Sequence, residues 1–358
     1  MFRQLLNGPS LNMQAIRQHC AQGIPEKMRP TFWRILLHYV PAAVEEWPEV
    51  LEARRAQYRD FVSELLSKPQ EAHALATEPL AITEEEDPLS VQAESQWNRW
   101  FKDRDMQKEI DKDVRRTFPH LHFFNNNGEP GETVHHRALS RILFIYAKLN
   151  PGIAYVQGMN EVLGPIYYLF ASDSANPGDM EHAEADAFFC FTSLMSEIMN
   201  NFCKSLDGSE MGIKANMLKL NRLLRRYDPE LWQNMEDKGL DPHFYTFRWI
   251  TLLLSQEFEL PDVIRLWDSL FADASRFDFL LKVCCAMIIS IRLQILTGDF
   301  ASNLKTLQAY PSCDIIALIR TAQQLDDRLR TTPASSPSQP TLFSGEDLFS
   351  TIRNTFFS

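Results

Sequence analysis

Two short stretches bring together residue types with chemical reach. In 110–119, IDKDVRRTFP, Arg115 and Arg116 stand side by side just ahead of a proline. A guanidinium offers a planar fork of donors that stays charged at any physiological pH. In 150–161, NPGIAYVQGMNE, the run Asn150-Pro151-Gly152 ends one helical pattern and the next begins after Gly158. Tyr155 and Gln157 fall on the connection between them, where a glutamine can present its carboxamide at a fixed place.

Spacing alone leaves both stretches a structural reading. Ile110, Val114 and Phe118 lie within about 80° on a helical wheel and form a buried stripe. Arg116 then points about 160° from the middle of that stripe, while Arg115 lies at its edge. Asp113 stands three residues before Arg116 and Asp111 four before Arg115, so each arginine has an acidic neighbour on the helix surface. Basic residues in a last turn also complement the helix dipole, and Pro119 explains why the helix stops. Gln157 reads equally as part of a helix entry bent at Gly158.

The elements that must position these residues are helices. In 139–149, Leu139, Ile142, Leu143, Tyr146 and Leu149 recur on one face of a 3.6-residue repeat. In 261–274, Pro261 sits at a helix start and Val263, Trp267, Leu270, Phe271 and Ala274 repeat in the same way. Almost no window alternates as a strand does, so the fold class is all-α. Breaks fall at 84–90, 125–131, 172–179 and 207–212, where Pro, Gly, Asn and acidic residues cluster. The third, between a long apolar helix and a new one starting near Glu181, is taken as the boundary between two lobes. The run Glu84 to Asp87 reads as a solvated loop. Residues 332–340, TPASSPSQP, read as a linker, and the closing DLFSTIRNTFFS as a short amphipathic turn or two.

Composition excludes several functions. With 358 residues, 45% of them hydrophobic, the chain has ample material for two lobes without staples. A formal charge of -11 argues against a nucleic-acid partner, which requires a broad basic face. The most apolar stretch, VCCAMIIS from Val283, is bounded by Lys282 and Arg292 and falls far short of the ~20 apolar residues a membrane span requires. Any membrane contact is therefore expected to be peripheral. Six scattered cysteines without a C-x-x-C pair, and no recognisable secretory leader, are read as reduced thiols in a cytoplasmic protein. His120, His122, His135 and His136 fit no zinc spacing, and no metal is assigned. No glycine precedes a lysine and no G-x-G-x-x-G occurs, so the chain has neither common nucleotide cradle.

Three ordered motifs together resemble the TBC-domain (Tre-2/Bub2/Cdc16) family of Rab GTPase-activating proteins. They are R-x-x-x-W at Arg29 and Trp33, preceded by Gly23-Ile24-Pro25; I-x-x-D-x-x-R at Ile110, Asp113 and Arg116; and Y-x-Q-G-M from Tyr155 through Gln157 to Met159. Arg248-Trp249 and VIRLWD at 263–268 match the family's second lobe, and the likeness spans roughly 20–312. None of these signature positions departs from the pattern.

The resemblance implies a two-lobe domain at 23–320, with lobes at about 23–172 and 180–320, an N-terminal segment 1–22 and a tail 321–358. It implies that Arg116 and Gln157 act in trans on GTP held by the partner. Arg29, Trp33, Ile110, Asp113 and Tyr155 would pack and orient, and Arg115 would be a surface partner of Asp111. The chain would then activate a partner enzyme, with no cofactor of its own, since GTP and Mg²⁺ would arrive on the Rab in its GTP form. Membrane contact would come through the lipidated Rab. The alternative is a silent module that binds a Rab as a scaffold.

Overall fold

The computed structural model describes residues 2–66, 96–125, 133–172, 177–202 and 212–331. The acidic run 84–87, most of the 125–131 and 207–212 breaks, Cys203 and the tail beyond Thr331 lie outside the described residues. Every regular element within them is helical, and the one β-bridge, Ser10 with Ala43, is isolated. The chain forms two compact units, Met1–Met199 and Asn200–Ser358.

The first unit contains α1 (Phe2–Leu5), α2 (Met13–Cys20), α3 (Arg29–Leu36), α4 (Trp47–Leu66), α5 (Gln96–Val114), α6 (Val134–Leu149), α7 (Met159–Ala171) and α8 (Pro177–Ile198). Helix α7 is its core: Met159, Val162, Leu163 and Ile166 are fully buried. Each contributes on the order of 1.5–3 kcal/mol of transfer free energy. Helices α3, α5, α6 and α8 all pack against it. A helix apolar on every side belongs in the middle of a bundle, and α7 is built that way.

Helix α6 begins with a capping box. The Thr133 hydroxyl accepts from the His136 N–H at 3.0 Å, and His136 Nδ1 accepts from the Thr133 N–H at 3.3 Å. Its stripe of Leu139, Ile142, Leu143 and Tyr146 is buried as the periodicity predicts. Leu149, the last residue of the helix, is 43% exposed. His135 stacks on Phe123 with ring centroids 3.8 Å apart and meets the Tyr167 hydroxyl at 3.0 Å. Burial, with His136 beside it, holds its imidazole below the ordinary histidine range.

The sequence places a lobe boundary at 172–179, whereas the compact units divide after Met199. Helix α8 stays with the first unit because its acidic residues serve that unit's arginines. Asp186, fully buried, accepts from Arg34 at 2.7 Å, from both Nε (3.0 Å) and Nη2 (2.8 Å) of Arg55, and from the Tyr39 hydroxyl at 2.7 Å. Glu184 takes a bidentate pair from Arg141 and a bond from Tyr58. Burial alone would raise the Asp186 pKa, but the Arg55 and Arg34 guanidiniums and the Tyr39 hydroxyl outweigh it and hold it below the usual carboxylate range.

The second unit contains α9 (Ile213–Tyr227), α10 (Pro229–Asp237), α11 (Thr246–Thr251), α12 (Leu260–Ala272), α13 (Arg276–Ser290), α14 (Arg292–Thr297), α15 (Phe300–Gln308) and α16 (Ile315–Thr331). Helix α13, which carries the VCCAMIIS run, packs against α9, α11, α12 and α16, and Cys284 and Cys285 are buried in it. No helix among the described residues is long and apolar enough to cross a membrane. In α12, Val263, Trp267, Leu270 and Phe271 are fully buried, while Ala274 lies beyond the helix end. Arg248 forms a bidentate pair with Glu257 at 2.6 and 2.9 Å and also reaches the Gln308 carbonyl.

One close approach in the first unit connects the core to the Arg116 segment. A Cβ at Gly164, in the middle of α7, would lie 2.6 Å from Phe118 Cε2 and 3.2 Å from Thr117 Cγ2. Gly164→Ala should therefore lower stability by about 1–3 kcal/mol through overpacking, more than the helix gains from alanine. An unchanged or higher melting temperature would contradict this packing. Asp186→Asn should cost about 3–5 kcal/mol, because it leaves two arginines without their buried counter-charge. Since the folded carboxyl titrates below its unfolded value, this contribution holds at neutral pH and fades only as the folded group protonates under acid conditions. Denaturant melts of wild type and variant at pH 7 and at pH 3 measure both, and equal stability at pH 7 would refute it.

Candidate functional site

The regular part of α5 ends at Val114, four residues before Phe118 and short of the proline the sequence suggested. The Arg115 N–H still bonds four residues back to Asp111 at 3.2 Å, but the two amides after it bond three back: Arg116 N–H to the Asp113 carbonyl at 3.2 Å and Thr117 N–H to Val114 at 3.0 Å. This tighter winding, followed by Phe118 at a φ of +44°, rotates the side chains away from the 100° wheel. The wheel expectation is thereby reversed: Arg115 is exposed and Arg116 is half-buried.

Arg115 also lacks its expected partner. The Asp111 carboxylate accepts from Gln107 at 2.8 Å and from the Ser140 hydroxyl of α6. Among the described residues it forms no ion pair with Arg115. Inter-helix bonding of Asp111 has displaced the local pair.

Arg116 keeps its own partner. Its Nη2 donates to Asp113 Oδ1 at 2.8 Å, with the arginine side chain 36% exposed and the aspartate 7%. The other oxygen, Asp113 Oδ2, accepts from the Tyr155 hydroxyl at 2.8 Å. Burial first, and then the Asp113 charge, pushes the Tyr155 phenol well above its ordinary pKa, so it remains a donor. One carboxylate thus bonds the arginine turn and the glutamine loop at once.

The loop is pinned at both ends. Asn150 closes α6 through its amide to the Tyr146 carbonyl at 2.8 Å, and the Ala154 N–H returns to the Asn150 carbonyl at 2.8 Å. Gly158 takes a φ of +102° as the residue ahead of α7, a value that favours glycine. Gln157 is half-buried, between Tyr155 and this turn.

Of the residues singled out in the sequence, Asp113, Arg116 and Tyr155 form one bonded set, and Gln157 lies two residues from it. Ile110 is fully buried on α5. Trp33 is fully buried in α3, and Arg29 donates to the Ile24 carbonyl at 3.0 Å, tying the Gly23-Ile24-Pro25 turn to the start of that helix. Sequence reasoning missed Thr117, Asn160 and Glu161, which are all buried beside the set. Their signal was available: Asn160 and Glu161 are polar residues at the head of an otherwise apolar helix.

Comparison with known proteins gives this arrangement a context. The family model described as the Rab-GTPase-TBC domain matches residues 26–296. The chain is similar to mouse TBC1 domain family member 13, with 42% identity across 91% of this chain and 97% of that protein. It is 31% identical to a TBC domain-containing protein of Schizosaccharomyces pombe, covering 92% of this chain and 73% of the other. Among solved structures, the Ypt/Rab-GAP domain of Gyp1p superposes with a TM-score of 0.72 at 25% identity, covering 91% of this chain and 96% of that one. The RabGAP TBC domain of a Chlamydomonas flagellar protein, at 19% identity and a TM-score of 0.52, shares the fold. With the helical architecture and the Asp113, Arg116 and Tyr155 set already in view, the chain belongs to the Rab-GTPase-TBC domain family.

Proposed function

We propose that this protein accelerates GTP hydrolysis by a Rab GTPase, with Arg116 and Gln157 entering the partner's nucleotide site. The observation that carries this reading is the half-exposed Arg116 guanidinium, held on Asp113 beside a pinned loop that presents Gln157. The Rab brings GTP and Mg²⁺, and its lipid anchor brings the otherwise cytoplasmic activator to a membrane.

Phosphoryl transfer passes through a loose transition state with charge spread over the equatorial oxygens. A guanidinium supplied in trans meets two of those oxygens with its fork and stays charged as it is desolvated. A carboxamide suits the second task, since its oxygen accepts from the attacking water while its nitrogen donates to the γ-phosphate. Asp113 prevents Arg116 from exploring other rotamers before the partner arrives, which reduces the entropy lost on insertion.

The test is hydrolysis by a panel of GTP-loaded Rabs, with wild type and variants compared on the Rab that responds. Arg116→Ala should lose about 10³-fold or more in rate, and Gln157→Ala about 10²-fold or more. Arg116→Lys keeps the charge without the fork and should recover little. Wild-type-like turnover by Arg116→Lys would contradict two-oxygen recognition, and a panel with no responding Rab would leave a binding scaffold instead. Asp113→Ala should reduce activity less than Arg116→Ala, because it frees the side chain without removing it. Equal losses with unchanged melting would show that Asp113 does more than orient.

A further inference from the structure

We infer that Asn160 is the positioning residue that sets the Gln157 turn against the Arg116 turn, so that both side chains reach one phosphoryl group together; this rests on the activator reading above. Asn160 is 2% exposed, at the second position of α7. Its Oδ1 accepts from the Gly158 N–H at 3.2 Å, the amide that follows Gln157. Its Nδ2 donates to Thr117 Oγ1 at 2.9 Å and to Glu161 Oε1 at 2.9 Å, and lies 3.3 Å from the Asp113 carbonyl. Thr117 in turn donates its hydroxyl proton to the same carbonyl at 3.1 Å.

The orientation of this carboxamide is fixed by its partners. A backbone N–H can only donate and a backbone carbonyl can only accept, so the oxygen faces Gly158 and the nitrogen faces Asp113 and Thr117. The tied positions are those that matter for geometry: Gly158 adjoins Gln157, and Asp113 and Thr117 flank Arg116. Tyr155 bonds the Asp113 carboxylate at 2.8 Å and also lies 3.3 Å from Asn160 Oδ1, so the two ties meet; Asn160 adds the bonds to the Gly158 N–H and the Thr117 hydroxyl, which set where each side chain starts.

Asn160 does not cap α7, because the cap position is Gly158 and Asn160 lies inside the first turn. Packing alone would favour an apolar residue here, since a buried amide is costly unless its bonds are made. A satisfied buried polar group instead selects one arrangement of the segments it joins. Catalytic groups misplaced by about 1 Å lose about 10²-fold in rate, so a tie of this kind acts on turnover.

The test uses the full chain with the Rab identified by the panel. Asn160→Asp keeps size and the acceptor for Gly158, but turns an oxygen toward the Asp113 carbonyl and Glu161; Asn160→Ala removes both functions. Each should lower kcat by about 30-fold or more while KM for the Rab stays within about threefold. Thr117→Val, which removes the partner hydroxyl from the other side, should cost about tenfold. In a Gln157→Ala background, Asn160→Asp should cost clearly less than it does in wild type, because one of the two groups it sets against each other is gone. Hydrogen exchange should rise together in 113–118 and 155–160 of Asn160→Asp and stay unchanged in α13.

The inference is overturned if kcat stays within about threefold of wild type, if the losses multiply in the double variant, or if only one segment exchanges faster. Full activity of Gln157→Ala would refute the activator reading instead, and exchange would then decide the tie alone. If neither Asn160 variant folds, Thr117→Val carries the same kinetic and exchange comparison.

Discussion

Asp113 stands 7% exposed between two donors from different parts of the chain, Arg116 at 2.8 Å and the Tyr155 hydroxyl at 2.8 Å. A carboxylate withdrawn from water needs such partners, and losing both would leave its charge without compensation. That need links the end of α5 to the loop before α7. The arginine, with its side chain 36% exposed against 7% for Asp113, is the element of the set placed to exchange this partner for another anion. Tyr155 stays behind as a donor, so the carboxylate is not stranded when the guanidinium moves.

The surrounding unit makes this arrangement rigid. Helix α7 is buried on all sides, and Gly164 lets Thr117 and Phe118 lie directly on its backbone. Farther along, Asp186 and Glu184 of α8 gather Arg34, Arg55 and Arg141 from three other helices. Buried ion pairs contribute little net stability against apolar alternatives, but they are expensive to break singly, so they fix which helices lie next to one another. The result is a frame in which a two-residue turn after α5 can hold an arginine in one place.

The helical class, the α6 and α12 stripes and the loop position of Gln157 were legible because they rest on periodicity and on Gly and Pro, which are local. The exposure of the two arginines was read the wrong way round. A helical wheel assumes 3.6 residues per turn up to the last residue, whereas α5 tightens after Val114 and Phe118 turns left-handed. The Asp111 to Arg115 pairing failed for a different reason: Ser140, 29 residues away, competes for the same carboxylate. No local rule sees that. The expected lobe boundary at 172–179 and the division of the compact units after Met199 differ because the ion pairs that hold α8 to the first unit are contacts between distant positions. Asn160 and Thr117 escaped notice because burial of a polar side chain becomes meaningful only when its partners are known.

A chain that completes a partner's phosphoryl-transfer site with its own arginine and glutamine should bind that partner most tightly when the site resembles the transition state. The most direct measurement is the affinity of the full chain for the responsive Rab loaded with GDP, with and without aluminium fluoride, which stands in for the transferring phosphoryl group. Tight binding is expected only with the fluoride present, with loss of that gain in both Arg116→Ala and Gln157→Ala. Equal affinity with and without it, or a gain that survives both substitutions, would rule out a site completed by Arg116 and Gln157.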